Sequence, residues 1–391
     1  MGLKDSIRSA DGNKMKKKIL FISHENNLGG GTKSLLSLIQ FYKCKQDFEM
    51  TVLVKKKHTA LTDMLDLLGI PYICAPNFWI RSKNNNFIKA FFKQSANFFV
   101  ASLLILSGKV NKKRFDIIHT NSSVSSFGVI LSYLTKIKHI WHFREFGDLD
   151  FGLTYPIQKK LIFPFFCKNT FRFVFISKTL SNYYRSLIPP SKKVVIHNGF
   201  NLIDFSISKK KFDIANIRLL ISGSFSPGKK QDTAIKAISI LQSLGIYASL
   251  TIAGSGDSVY ENYLKELAIE EGVSEYVKFI GYQEDISLIR KEIDIELVCS
   301  KAEAFGRVTI EAMLMGLIVV ASNTGANTEL IKHAWNGMLY EFDNEYNLAQ
   351  QIAEVVQDPE LRAFIRYNAI EYSNRKFDIA NTANAVSSLY D

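Results

Sequence analysis

Short apolar runs, four to six residues long and rich in β-branched and aromatic side chains, recur along the whole chain between longer helical patterns. In the first half they are "KILFISH", "MTVLVKK", "FDIIHTN", "KHIWHF", "FRFVFIS" and "KVVIHNG". In the second they are "IRLLISG", "ASLTIAG", "YVKFIGY", "DIELVCS" and "LIVVASN". Such runs predict strands covered on both faces, and their alternation with helices predicts parallel α/β sheets. Two series predict two Rossmann-like domains, residues 15–200 and 217–371, joined by a charged, turn-rich linker at 201–216. The C-terminal helix, 372–391, is expected to pack back on the first domain. Residues 1–14 are polar and precede Met15, and are read as an N-terminal extension outside the fold.

Length agrees with two domains, because 391 residues exceed one ordinary core. The 47% hydrophobic and 22% charged composition excludes a disordered chain. Four scattered cysteines, with no C-x-x-C pair, disfavour a zinc site or a disulfide scaffold and fit a reducing cytoplasm. Charge adds an asymmetry. Residues 1–200 hold 31 Lys and Arg against 11 Asp and Glu, whereas residues 201–391 hold 18 against 26. The basic half is expected to face something anionic, a membrane surface or nucleic acid. No aromatic-basic RNA motif or recognition helix stands out, so nucleic acid is not the expected partner.

No signal peptide opens the chain, and no apolar run reaches the ~20 residues that span a bilayer. The nearest, "FIKAFFKQSANFFVASLLILSGK" at 87–109, reads as a buried helix or as a helix lying on a membrane with its lysines at the headgroups. The same two readings hold for "YPIQKKLIFPFFCKNTFRF" at 155–173. A cytoplasmic protein, peripheral at the inner membrane face, is the expectation.

Polar clusters follow several strands, where open α/β sheets bind ligands. "NNLGGGTKSLL" sets Gly30 and Gly31 between a strand and a helix, so that amides can approach an anion; it is neither a P-loop nor G-x-G-x-x-G. "SGSFSPGKKQD" places Lys229 or Lys230 at a helix start, as a point charge for a phosphate, with solvated surface lysines as the plain alternative. Gly254 in "AGSGD" is a weak signal. In "SKAEAFGRVTIEAMLMG" Glu303 precedes a helix and Glu311 lies on it. Gly306 lets the chain turn, and amides near Arg307, Val308 and Thr309 are placed for a diphosphate. Spacing alone favours an ordinary loop and a solvated helix glutamate.

"EAFGRVTIE" resembles the E-x7-E motif of the family-4 retaining glycosyltransferases, which have the GT-B fold. "GGGTKSLL", "VFISKTL", "VVIHNGF", "GSFSPGKKQD", "LTIAGSGD", "VKFIGYQEDI" and "NGMLYEFDN" are similar to family segments and stand in family order. "HIWHFREFGDLDFG" resembles bacterial enzymes of capsule, exopolysaccharide and O-antigen assembly. The resemblance implies catalytic roles for Glu303, facing the donor sugar with Phe305, Gly306 and Arg307 beside it, and for His142. It implies Glu311 on the ribose, and Lys229, Gly30 and Gly31 at the diphosphate. Ser224 stands where the family often has Arg, so a second cation is missing there, and Arg307 is the candidate substitute. Arg144, Glu145 and Asn121 are acceptor-side candidates. A packing role for His142 remains open.

The expected reaction moves a sugar from a UDP- or GDP-linked donor to a lipid-linked or oligosaccharide acceptor. No cofactor and no metal are expected, since "DLD" at 148–150 and "DIE" at 294–296 are weak metal signals. Alternatives are a nucleotide-sugar epimerase or isomerase of the same fold, and a non-enzymatic binding protein.

Overall fold

The computed structural model describes residues 16–83, 86–208 and 211–391. The expected extension at 1–14 lies outside them. The first sheet has seven parallel strands: β1 (Lys17–Ile22), β2 (Phe48–Val54), β3 (Tyr72–Cys74), β4 (Ile117–Thr120), β5 (Lys138–Phe143), β6 (Arg172–Phe175) and β7 (Lys193–Val195), in the order β3-β2-β1-β4-β5-β6-β7. The second has six: β8 (Ile217–Ser222), β9 (Ala248–Ala253), β10 (Val277–Gly281), β11 (Ile295–Val298), β12 (Ile318–Ser322) and β13 (Met338–Tyr340), in the order β10-β9-β8-β11-β12-β13. All pairs are parallel. This is the GT-B architecture of two Rossmann-like domains. Each strand order reverses beside its first strand, and a crevice opens there at the carboxyl ends.

Burial explains the apolar runs. Ile19, Leu20, Phe21 and Ile22 of β1 are fully buried, because helices cover both faces of the sheet. Two strands escaped the apolar pattern. β3 and β13 are three-residue edge strands that fall outside those runs.

The chain crosses between domains twice, side by side. Phe200 N donates to Phe377 O at 2.8 Å, and Ile379 N donates to Phe200 O at 2.9 Å. The second crossing falls at Phe377, five positions after the expected 372, because helix Pro359–Lys376 runs on unbroken. Helix Ile379–Ser387 then packs on helix Gly30–Lys45, with Ala383, Val386 and Tyr390 sharing the core of Leu35, Ile39 and Tyr42. Tyr42 Oη donates to Ala383 O at 2.7 Å. In the linker, Ser208 N already donates to Met315 O of the second domain.

The two doubtful segments resolve in opposite directions. In 155–173, Tyr155, Phe163 and Phe166 are core, and the membrane reading fails for them. Helix Phe87–Leu106 shows the reverse. Its inward face is Ala90, Asn97, Ala101 and Leu104, and Asn97 exchanges hydrogen bonds with the backbone of Phe78. Its outward face is apolar: Phe87, Ile88, Phe91, Phe92, Phe99, Leu103 and Leu106 are exposed, Leu106 by 83%. Small side chains let this helix dock by one narrow face, so the buried-helix reading does not hold. No helix among the described residues is long and apolar enough to cross a membrane.

Candidate active site in the interdomain cleft

The C-terminal wall is built from adjacent loops and one helix. Gly306 has φ 90°, a left-handed turn that a side chain would strain, and it caps helix Arg307–Leu314. The turn presents Glu303 beside Lys229, which ends a single helical turn after β8. Lys229 Nζ donates to Glu303 Oε1 at 2.5 Å. Behind them runs an ion chain, buried at Arg290 and Glu296 and partly buried at Arg307 and Glu311. Arg307 Nη2 donates to Glu311 Oε1 at 2.9 Å, and Arg290 Nη1 to Glu311 Oε2 at 2.9 Å. Arg290 Nε and Nη2 donate to Glu296, which also accepts from Ser222 Oγ. Burial pushes the Glu311 carboxyl up, but Arg307 and Arg290 together hold it below its ordinary value.

Arg307 does not stand free in place of the arginine absent at Ser224. Besides Glu311 it donates to Ser34 Oγ of the other domain at 2.8 Å, and its guanidinium lies 4.5 Å from the Phe200 ring centroid. Each terminal nitrogen commits one of its two N–H groups to these partners.

The N-terminal wall comes from strand ends. Position 30 faces the opposite wall closely: a Cβ there would lie 3.3 Å from Arg307 Cδ, so a side chain would have to shift Arg307. Arg144 Nε donates to Asn121 Oδ1 at 2.6 Å and Nη1 to Asn198 Oδ1 at 2.5 Å. Burial lowers its pKa, Glu145 opposes that, and Arg307 adds to the fall. A guanidinium begins so high that it keeps its proton near neutral pH. Glu145 is held by three donors, Ser122 Oγ, Ser123 N and Ser123 Oγ, all on Oε1.

His142 is not among the residues that line the cleft. It lies under the wall on β5, 1% exposed, with Nδ1 at 3.3 Å from His119 Nε2 and 3.4 Å from Arg144 Nη2. Arginine only donates, so Nδ1 accepts and the ring proton sits on Nε2, which has no partner. His119 Nε2 then donates, and its Nδ1 accepts from Tyr390 Oη at 2.7 Å. Burial, Arg144 and His119 hold His142 well below its usual pKa, hence neutral. The expected direct contact with the reacting sugar is not what this geometry provides; His142 backs Arg144 instead.

Two cavities share the cleft. One, of about 520 Å³, is lined by His24, Gly30, Gly31, Arg144, Glu145, Lys229 and the loop from Glu303 to Val308. The other, of about 870 Å³, lies between Ser224, Gly254, the loop Tyr282–Ile286, Arg290 and Glu311. Asn121 and Thr309 are buried behind the walls. A cavity of about 390 Å³ at the opposite strand ends, near Asp294 and Arg366, contains none of these groups. Sequence reading missed His24, Asn198, Arg290 and the Tyr282–Ile286 loop. Two of these carried a signal: Asn198 inside the family-like segment "VVIHNGF" and the loop inside "VKFIGYQEDI". Among the described residues no group of three His, Cys, Asp or Glu could hold a metal ion.

Two family models divide the chain. The one described as Glycosyltransferase Family 4 matches residues 48–203, and Glycosyl transferases group 1 matches residues 204–372. The chain belongs to glycosyltransferase family 4. Among the relatives of this family-4 glycosyltransferase is an uncharacterized glycosyltransferase of Methanocaldococcus jannaschii, 28% identical over 72% of this chain and 77% of its own. Another is the O-antigen biosynthesis glycosyltransferase WclY of Escherichia coli, 27% identical over 57% and 65%. Anabaena HepE, solved with UDP and glucose, shares the fold with a TM-score of 0.77 at 20% identity, over 95% of this chain and 98% of its own.

Proposed function

We propose that the chain transfers a sugar, with retention at the anomeric carbon, from a UDP-linked donor to a lipid-linked glycan of a bacterial surface polysaccharide. One observation carries the reading: Lys229 and Glu303 stand side by side, 2.5 Å apart, at the N-terminal end of helix Arg307–Leu314, in a cavity closed by the glycine loop. The UDP and UDP-glucose bound in HepE support the choice of base, and WclY supports the acceptor class.

The bond that breaks joins the anomeric carbon to the diphosphate oxygen. The charge that develops on the leaving diphosphate meets Lys229 and the first amides of the helix, fixed donors that need no reorganisation. Lys229 exchanges Glu303 for phosphate, and Glu303 accepts hydrogen bonds from the sugar's hydroxyls. Glu311 accepts from the ribose while keeping its arginines. Arg144, held only by neutral amides and an imidazole, supplies the second cation that Ser224 lacks. The acceptor hydroxyl attacks on the face the diphosphate leaves and passes its proton to the departing oxygen. Glu145, tied by three donors on one oxygen, is not assigned as a nucleophile. These cations take the place of a metal. The outward apolar face of helix Phe87–Leu106 rests on an anionic cytoplasmic membrane surface, where the basic half of the chain favours it.

Thermal shift with UDP, GDP and ADP in the presence of EDTA tests the donor site. Selective stabilisation by UDP is expected. Stabilisation that needs added divalent metal refutes the metal-free site. An inverted anomer in the product, read by NMR, refutes retention.

A further inference from the structure

We infer that the N-terminal domain holds a second anion site, for the diphosphate of a lipid-linked acceptor, in the cavity at the start of helix Phe87–Leu106. The inference rests on the glycosyltransferase reading above and names where its acceptor is held. The cavity measures about 440 Å³ and is lined by Trp79, Ser82, Lys83, Asn86, Lys89 and Lys93 among others. It is separate from both cavities of the cleft.

Its charge is one-sided. Among the described residues no carboxylate lies within 4 Å of Lys83, Lys89 or Lys93. Lys55 stands on the same Trp79, with Nζ 4.7 Å from a ring centroid. Burial lowers the pKa of Lys55 to about 8; Glu25 opposes this and Lys93 adds to it. Like charges gathered around one concavity repel each other, and an anion with several oxygens relieves that repulsion. Flexible ammonium groups suit phosphate as point charges.

Position singles out the acceptor. Trp79 is the partition between this cavity and the cleft: its Nε1 donates to His24 O at 2.8 Å, and the His24 ring, 6.3 Å from it, lines the cavity holding Glu303. A glycan anchored at the lysines reaches the reacting sugar by passing one indole. On the other side, the same two helical turns that carry Lys89 and Lys93 expose Phe87, Ile88, Phe91 and Phe92. Glycan, diphosphate and hydrocarbon tail thus each meet a matching surface, in the order in which such a molecule is built.

Calorimetric titration of the full chain with farnesyl diphosphate tests this, with farnesol as the neutral control. The wild type and Lys229→Ala are expected to bind it alike. K83A/K89A/K93A should lose at least ~tenfold in affinity. K109A/K112A/K113A removes the same charge from exposed positions outside the cavity and should stay within about twofold of the wild type. Equal loss in both triple variants means a diffuse basic surface, such as one for bilayer headgroups, and overturns the proposal. Loss confined to Lys229→Ala puts the diphosphate in the donor cavity and also overturns it. Absence of binding by the wild type does the same. Stabilisation by UDP is measured in parallel: if K83A/K89A/K93A keeps it, the donor reading stands whatever becomes of the second site. If the wild type shows no UDP shift, the donor reading fails independently.

Discussion

The two walls of the cleft solve the problem of buried charge differently. On the C-terminal side each cation has a carboxylate: Lys229 with Glu303, Arg307 and Arg290 with Glu311, Arg290 again with Glu296. On the N-terminal side Arg144 is held by amide oxygens and neutral imidazole, and Glu145 acts on it through the field without a contact ion pair. A paired wall is stiff and pre-ordered but must give up a contact when substrate arrives. A cation held by neutral contacts has no ion pair to give up when an anion arrives.

The comparison breaks most readily at Glu303. Glu303→Gln should lower transfer by about 10² to 10³-fold, while its half-exposed pairing with Lys229 keeps the stability change within ~1 kcal/mol. An active Glu303→Gln would remove the C-terminal wall from the chemistry. Next come two matched arginines. Arg290→Met leaves the buried Glu296 with Ser222 alone, while Glu311 keeps Arg307, and should cost about 3–5 kcal/mol in urea unfolding. Arg144→Met breaks no contact ion pair, although it takes away the cation nearest Glu145, and should cost about 1–3 kcal/mol, yet lower kcat by about 100-fold. Equal stability losses would show that the walls do not differ as described.

His142 sharpens the contrast further. Because burial and Arg144 keep it neutral, the pH–rate profile should have no acid limb near 6.5 that His142→Gln removes. Such a limb would place the imidazole in the cleft, as the sequence first suggested. The smallest effect is at the seam. Glu329 accepts from Lys178 N, Thr179 N and Thr179 Oγ1 across the domain boundary. Burial raises its pKa, but His197 and the Thr179 and Lys178 donors overcome this and bring it from 4.5 down to about 2. A depressed carboxylate stabilises above its unfolded pKa and loses that stabilisation as pH falls through its folded one. The urea midpoint of Glu329→Gln should lie below wild type at pH 7, with the gap closing between pH 4.5 and about 2.

Much of the C-terminal wall was legible because its chemistry is local. Glu303, Gly306 and Arg307 share one turn, and Lys229 ends a loop with its own pattern. The N-terminal wall was less so. Arg144, Asn121 and Asn198 meet from three strand ends, and no spacing along the chain announces that meeting. Arg290 carried no motif at all. Its role exists only because β8, β11 and the helix of Glu311 surround it.

Periodicity and turn chemistry along the chain were enough for two parallel-sheet domains and the glycine loop, since these are local properties; the pairing of Glu303 with Glu311 rested on a family resemblance. The packing of distant segments decided which face of helix Phe87–Leu106 is covered, that the chain crosses back at Phe377, and that His142 lies behind Arg144. Periodicity says that an element has two faces, but not what each meets. Likewise a charge acquires its partner, and hence its energy, only when distant segments are brought together.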